Sequence, residues 1–380
     1  MIFISGQGMK KMAWFGWILF SLVLVDCACA RGPATVALSP ARAQAVDAAI
    51  DAGMRRDAVV GMAVGVIEDD RIVYLKGYGY ADRERKIPVT TRTMFRWASV
   101  SKPVTAIAAM QLVERGRLDL DADVRRYVPE FPDKGVKITL REVLGHQGGI
   151  VHYDNGAVIR TQKKYVEAHP WADVITALDT FKDSPLVNAP GEKYSYSTYG
   201  YILASAVVQR AGGEPFAQQV RERIVEPLHL TTLQPDYPWI DIPDRATGYV
   251  KRDDKIVRST DTDVSWKLGG GGYISDIADF AGFAKGLIDR RLVSARSEKL
   301  MWTPQKLADG TPTQYGIGFD LTADGGDRLR VAHSGAQEKT RTWLVIYPHE
   351  KRGVVIMTNS EWVDPKAYSG PVFAALEQSR

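Results

Sequence analysis

The sequence predicts an α+β protein in which one antiparallel sheet is built from both ends of the chain, with a mainly helical domain inserted between them. Two runs rich in β-formers, 61–67 and 71–78, stand near the start and are joined by the acidic turn 68–70. Two more, 342–347 and 354–358, stand near the end. Because the middle of the chain shows helical periodicity instead, the two terminal pairs are expected to share one sheet.

The C-terminal strands are predicted as a second hairpin. The polar segment 348–353 connects its two members, and further strands are expected at 315–321 and 329–332, just before it. Strands at both ends of the chain and few between them favour a single sheet.

Four segments in the middle of the chain carry the spacing of an α-helix. The clearest apolar face is formed by Ile202, Leu203, Ala206 and Val207. A run of four glycines within 268–272 is predicted to be a tight turn that returns the chain to the sheet. The predicted helices are 102–115, 171–181, 200–209 and 215–225.

These elements predict a sheet domain made of 31–95 and 266–380 around a helical domain, 96–265. In front of them, two lysines lead into the apolar run 13–25, and small residues follow, a pattern typical of a secretory signal cleaved after about residue 30. The run is short for a membrane-spanning helix. We therefore expect a periplasmic or secreted protein, with an uncleaved anchor or a later start codon as alternatives.

Composition excludes several classes of protein. The chain has 380 residues, of which 45% are hydrophobic and 25% charged, so it is neither disordered nor fibrous. Its net charge of +4 becomes +3 without the predicted signal, an excess too small to suggest nucleic acid as a partner. Both cysteines, Cys27 and Cys29, lie in the predicted signal, so the mature chain offers no disulfide or thiolate site.

A serine and a lysine three residues apart mark the predicted start of the first inserted helix. Residues i and i+3 share a face of a helix, so Lys102 Nζ can reach the Oγ of Ser99. Pro103 fits the first turn of that helix. A serine that caps the helix beside a solvent-exposed lysine would have the same spacing, so the pair alone does not indicate catalysis. Two other polar triplets, 196–198 and 333–335, make a catalytic role more plausible.

These three motifs, in this order, resemble the serine β-lactamase and penicillin-binding-protein family, particularly its class C-like branch and the serine β-lactamase-like proteins of mitochondria. The similarity spans roughly 47–359. It implies a β-lactamase/transpeptidase-like fold, an antiparallel sheet flanked by helices with the site in the cleft beside the helical domain, and covalent acyl transfer. The segments that carry it are 97–102, 116–121, 127–131, 144–150, 190–198 and 333–335.

The resemblance also implies a role for each motif residue. Ser99 would attack a carbonyl group, Lys102 would take or relay its proton, and Tyr196 would pass that proton to the leaving group. The backbone N–H groups of Ser99 and Ala336 would form the oxyanion hole. The residues expected to contact substrate are Thr198, His333, Ser334, Gly335 and Ala336.

As partners, the resemblance implies a small-molecule or peptide substrate and a homo-oligomer or filament, because the mitochondrial relatives polymerise. No cofactor and no metal are expected. His146 and His152 are six residues apart without an acidic partner at ligand spacing, which makes a zinc site improbable. The chain also lacks the nucleophile-elbow, phosphate-loop and dinucleotide-binding motifs.

The charge state of the lysine decides whether the predicted pair can react. Lys102 must be neutral to accept a proton, so burial and a nearby cation would help it, whereas a close carboxylate would defeat it. The serine hydroxyl needs such a base within about 3 Å.

Two motif positions depart from the family pattern. Thr198 stands where many relatives have asparagine, and His333 replaces the lysine of the usual Lys-Thr-Gly triplet. Both changes favour an esterase or peptidase over a β-lactamase. If His333 must be protonated to hold an acidic substrate, turnover is expected to decline as pH rises through about 6.5.

Three functions remain open at this stage. The first is a hydrolase that forms an acyl-enzyme on Ser99 and releases it to water. The second is a binding or sensing module that is acylated without efficient turnover, and the third is a filament-forming assembly protein. Since all three motifs keep residues that can carry protons, the hydrolase is favoured.

Overall fold

A six-stranded antiparallel sheet made from both ends of the chain carries the fold, which confirms the predicted fold class. The computed structural model describes residues 37–326 and 328–378, so the predicted signal 1–30, with both cysteines, lies outside the described residues. The division into a sheet domain and a helical domain at the predicted boundaries stays a prediction.

The strands and helices of the described residues are as follows. The strands are β1 (Gly61–Glu68), β2 (Arg71–Asp82), β3 (Ile87–Pro88), β4 (Phe95–Arg96), β5 (Gln234–Pro235), β6 (Tyr249–Arg252), β7 (Lys255–Arg258), β8 (Tyr273–Ser275), β9 (Val331–Gln337), β10 (Thr340–Tyr347) and β11 (Arg352–Thr358). The helices are α1 (Pro40–Asp57), α2 (Ser101–Glu114), α3 (Leu140–Leu144), α4 (Thr198–Gly212), α5 (Phe216–Val220), α6 (Leu268–Gly271), α7 (Ile277–Ile288), α8 (Ala295–Met301) and α9 (Lys366–Gln378).

The order in the main sheet is β3-β2-β1-β11-β10-β9. The first long strand therefore pairs with the last one, with Met62 opposite Thr358 and Val66 opposite Val354. Two smaller groups, β4-β8-β5 and the hairpin β6-β7, lie outside this sheet. Since β9 is an edge strand of the main sheet, its 333–335 triplet lies at the opposite edge from β2 and β3.

Successive residues of a strand point to opposite faces of the sheet, and the central strands are apolar on both faces, so a core forms on each side. On one face, Met62 and Val64 belong to a cluster with residues of α1 and α9, among them Ile50 and Val372. On the other face, Ala63 joins a larger cluster that includes α7, α2 and α4. This burial on both faces explains why every residue of β1 is buried.

One predicted strand is wrong. Residues 315–321 form only two isolated bridges, Tyr315 with Asp320 and Asp320 with Ala332, because Gly318 has a φ of +86°. A strand conformation has a negative φ throughout, so the chain turns there instead. The neighbouring prediction, 329–332, falls at the beginning of β9, which starts at Val331 and continues through the triplet.

The predicted helix 171–181 is also wrong. Two short 3-10 turns, Pro170–Ala172 and Thr176–Thr180, occupy most of it, and Asp173 between them has an extended backbone. The side chain of Asp173 accepts a hydrogen bond from the backbone N–H of Ile175. Such local side-chain bonds compete with a continuous helix.

The glycine run forms the single turn of helix α6 rather than a tight reverse turn. Its residues lie against α4 at distances that exclude a side chain: a Cβ on Gly269 would stand 2.5 Å from Ser205 Cβ, and one on Gly270 2.7 Å from Thr198 Cγ2. The absence of side chains thus lets the backbone of α6 approach the start of α4. None of the helices within 37–326 and 328–378 has the length and apolar character needed to cross a bilayer.

Candidate active site

Ser99 lies in a 3-10 turn, Ala98–Val100, that leads directly into α2. The helix itself therefore begins two residues later than the serine. Trp97 anchors the turn from below, because its N–H donates to Tyr273 O at 2.8 Å and its indole Nε1 donates to Ser275 Oγ at 2.7 Å. The indole is fully buried against two phenylalanines of α7.

Strands β9 and β10 hold the same turn from the other side. The Thr342 hydroxyl donates to the carbonyl of Trp97 at 2.9 Å, and the Thr340 hydroxyl donates to that of Arg96 at 3.0 Å. A Cβ on Gly335 would lie 2.4 Å from Trp97 O and 2.1 Å from Thr342 Oγ1. Glycine at this position therefore allows β9 to lie directly against the turn that carries Ser99.

Lys102 projects from the first turn of α2 into the protein and is completely buried. Its Nζ lies 3.1 Å from Ser99 Oγ, 3.1 Å from Thr198 Oγ1 and 2.9 Å from Gly270 O. Burial holds the pKa of Lys102 well below its usual value, and the positive charge of Lys267 lowers it further. Among the described residues, no carboxylate forms an ion pair with Lys102.

These three contacts match a neutral amine. An uncharged Nζ has two N–H donors and one lone pair. The carbonyl of Gly270 can only accept, and Thr198 Oγ1 can accept the second hydrogen. The lone pair is then left for the hydroxyl of Ser99, which is the arrangement a general base requires.

Tyr196 reaches the same point from the loop before α4. Its phenol interacts with the side chain of Ser99, which affects the pKa of the tyrosine, and its ring centroid lies 4.7 Å from Lys102 Nζ. Burial raises the pKa of Tyr196 above its ordinary value, although the interaction with Ser99 opposes the change. The phenol is therefore protonated at neutral pH and can donate a proton.

His146 fixes the loop on both sides of Tyr196. The carbonyl of His146 accepts from Ser195 N at 2.7 Å, and its Nδ1 accepts from Ser197 N at 3.1 Å. Its ring centroid is 4.2 Å from that of Tyr196. Burial keeps the pKa of His146 well below its usual value, so the ring stays neutral and Nδ1 remains an acceptor.

The contacts and burial of His333 favour a neutral imidazole over the protonated form that a charged substrate would require. Its Nδ1 lies 2.7 Å from the carbonyl of Ser334, which can only accept, so Nδ1 carries the hydrogen. Nε2 then accepts from the Tyr315 hydroxyl at 2.8 Å. Burial lowers the pKa of His333 to about 3. The imidazole therefore holds strand and tyrosine together and offers no charge to a substrate at neutral pH.

The predicted residues surround one cavity of about 850 Å³. Ser99 lines the cavity, whereas Lys102 and Gly335 are buried and do not line it. Within the described part of the chain, no group of three His, Cys, Asp or Glu side chains is placed to hold a metal ion. The predicted residues that line the cavity are Ser99, Tyr196, Thr198, His333, Ser334 and Ala336.

Sequence reasoning missed three contributors to this site. Tyr315 bonds His333, the carbonyl of Gly270 bonds Lys102, and Lys267 lines the cavity. Each comes from a segment outside the three motifs. The glycines at 269–272 were a sequence signal for close backbone packing, whereas Lys267 is not part of any motif that would indicate a role in the site.

Comparison with known proteins adds family evidence to this geometry. The sequence profile of the family "Beta-lactamase" matches residues 46–376. The chain is 30% identical over 291 residues to "Serine beta-lactamase-like protein LACTB, mitochondrial" of Homo sapiens, covering 60% of this chain and 53% of that protein. It is 31% identical to "Putative penicillin-binding protein PbpX" of Bacillus subtilis (strain 168), covering 67% and 60%, and 33% identical over 196 residues to "Esterase EstB" of Burkholderia gladioli, covering 48% and 49%. The chain thus spans about half the length of the mitochondrial relatives.

Solved structures share the fold. An octameric penicillin-binding protein homologue from Pyrococcus abyssi superposes with a TM-score of 0.74 at 24% identity, covering 89% of this chain and 78% of that one. "EstCE1, a hydrolase with promiscuous acyltransferase activity" gives 0.75 at 21% identity, covering 88% and 98%. At these identities the likeness concerns the fold alone.

Proposed function

The chain belongs to the beta-lactamase family, and on that basis we propose that it is a serine hydrolase that forms an acyl-enzyme on Ser99 and acts on an ester, amide or peptide. One observation carries the proposal: the buried Nζ of Lys102, whose pKa burial holds well below its usual value, lies 3.1 Å from Ser99 Oγ at the edge of a large cavity. This distance is within the range for proton transfer to a general base.

The proposed reaction has two halves. As Ser99 Oγ attacks the carbonyl carbon, its proton passes to Lys102 Nζ, and the carbonyl oxygen becomes an oxyanion facing the N–H groups of Ser99 and Ala336. When the bond to the leaving group breaks, Tyr196 gives that group its proton and regains one from Lys102. Water then attacks the acyl-enzyme while the same lysine and tyrosine accept its proton and return it to Ser99.

The cavity supports an ester as the preferred substrate. Three tyrosines, Tyr153, Tyr194 and Tyr315, supply part of its lining, and the neutral His333 leaves the strand without the positive charge that the usual triplet would carry. Among relatives, EstB is named an esterase and EstCE1 a hydrolase with acyltransferase activity.

The test is acylation followed over time. Purified protein and Ser99→Ala would be mixed with a fluorophosphonate, an activated butyryl ester, a chromogenic cephalosporin and short peptides. The proposal requires a phosphonate adduct on the Ser99 peptide and a steady state of product release that the variant lacks. A burst without a steady state would indicate an acylated sensor instead, and absence of any adduct would overturn both.

The pH dependence of activity follows from the charges in the site. Only neutral Lys102 accepts a proton, so kcat/KM for an uncharged ester is expected to rise with pH through the lowered pKa of that lysine. Since the pKa of His333 lies near 3, no decline is expected near pH 6.5. The measurement is kcat/KM from pH 5 to 9. A fall through about pH 6.5 that disappears in His333→Gln would show that the imidazole is charged after all.

Export and self-association are proposed on separate grounds. The pattern of residues 1–30 supports a cleaved secretory signal, which intact mass of the protein recovered from periplasm or medium would test. A chain that retains these residues there would contradict the export proposal.

The octameric homologue supports the proposal that the chain forms a homo-oligomer. Light scattering of the purified chain would test this, and a monomer at all concentrations would contradict it.

A further inference from the structure

One cationic side chain in the cavity wall has no counter-ion. Lys267 ends the 3-10 turn Ser265–Lys267, directly before α6, and is only 8% exposed. It lines the cavity that contains Ser99. Among the described residues, no carboxylate lies within ion-pair distance of its Nζ and no hydrogen bond to it is formed. A nearly buried charge without a partner is costly, and proteins normally pair such groups.

Aromatic rings provide part of the missing stabilisation. The Nζ of Lys267 lies 5.5 Å from the ring centroid of Trp266 and 5.9 Å from that of Tyr153. The negative faces of these rings attract a cation, but they do not replace a hydrogen-bonded anion. Burial lowers the pKa of Lys267 to about 8, so the ammonium form still predominates at neutral pH.

Among the described residues that line the cavity, Lys267 is the side chain that carries a positive charge at neutral pH. It is the only lysine or arginine among the lining residues that the structure describes. His333 and His152 are neutral because burial lowers their pKa values to about 3 and about 4. Of the two lining carboxylates, Asp320 is paired with Arg330, and Glu338 is exposed on the turn after β9, where it attracts Lys267 without reaching it.

We propose that Lys267 is a binding site for a carboxylate group of the substrate, so that the enzyme acts preferentially on esters or amides that carry a second, anionic end. The inference rests on the proposed function, since it concerns the substrate of the same cavity. A single ammonium matches a single negative charge.

Matched substrates isolate the charge. Mono-4-nitrophenyl glutarate and 4-nitrophenyl valerate have acyl chains of equal length that end in a carboxylate or a methyl group. The succinate and adipate half-esters would vary the reach. We expect the ratio of kcat/KM for the best half-ester to that for valerate to fall about 10- to 100-fold in Lys267→Met. The ratio is used because loss of the neighbouring cation also changes the pKa of Lys102, which affects both esters equally.

Controls separate charge from packing. Methionine has a similar length and packs well beside aromatic rings, and Lys267→Gln serves as a second neutral variant if the first is unstable. Lys267→Arg should keep most of the preference. Lys255→Met, at an exposed lysine of β7, should leave the ratio unchanged.

A binding measurement accompanies the kinetics. Free glutarate should slow phosphonate labelling of Ser99 in the wild-type chain and lose this effect in Lys267→Met. If no half-ester is preferred, or the ratio is unchanged in both neutral variants, the carboxylate site is wrong. If neither valerate nor any of the half-esters shows turnover that depends on Ser99, it is the proposed function that fails.

Discussion

Replacing Lys102 by methionine is expected to lower kcat/KM for an activated ester by about 10³-fold. The substitution removes Lys102 Nζ, which lies 3.1 Å from Ser99 Oγ and is the proposed acceptor of its proton. The hydroxyl alone is a weak nucleophile, since its proton has no acceptor in the transition state. Phosphonate labelling of Ser99 should slow in parallel with turnover.

The stability of Lys102→Met should change much less than its activity. Methionine fills a similar volume and removes a buried amine, but it leaves the carbonyl of Gly270 without its donor. These effects oppose each other, and we expect the free energy of unfolding to change by less than about 2 kcal/mol. Urea unfolding measures this value. Lys299→Met, at an exposed lysine of α8, is the matched control and should alter neither quantity. Activity within tenfold of wild type would show that Lys102 is not the base.

Gly335→Ala is expected to lower kcat/KM about 10²-fold and to destabilise the fold by about 1–3 kcal/mol. The new Cβ would lie 2.4 Å from Trp97 O and 2.1 Å from Thr342 Oγ1, the two atoms that join the Ser99 turn to β10. Backbone cannot move aside as a flexible side chain can. The strand and the turn must separate, and Ser99 then moves relative to Ala336 on β9.

The same substitution elsewhere gives the control for Gly335→Ala. Gly370 lies inside α9, and a Cβ there would meet nothing within 4 Å. Gly370→Ala should therefore leave activity unchanged, although no gain in stability is expected, because Pro371 follows and disfavours a side chain on the helical residue before it. Steady-state kinetics and thermal unfolding of both variants would decide. Equal activity of Gly335→Ala and Gly370→Ala would mean that the contact between strand and turn does not position the nucleophile.

Much of the fold could be predicted from the sequence because its long elements have strong periodicity. The first strand was expected at 61–67 and ends at Glu68, and the first inserted helix was expected at 102–115 and spans Ser101–Glu114. The predictions failed where single residues outweigh the pattern. Gly318 turns the backbone within an apolar run that alternates like a strand, and Asp173 interrupts a segment with helical spacing.

The candidate site could be predicted only where its residues share a local motif. Ser99 and Lys102 meet because residues three apart lie on one face, whereas Gly270 reaches Lys102 across 168 residues of chain. The neutral state of His333 depends on burial and on Tyr315, neither of which a triplet reveals. Lys267 went unnoticed for the same reason, since only the folded chain brings it to the cavity.

The pairing of the first long strand with the last has a consequence for biosynthesis. Until residue 358 has left the ribosome, β1 has no partner on its β11 side, and the turn that carries Ser99 has already emerged while β9 and β10 are still to be made. An unfinished polypeptide therefore exposes an apolar strand edge, a target for chaperones and for aggregation. In the proposed reaction, the turn that carries Ser99 can be held in its folded position only after β9 and β10 have also been made.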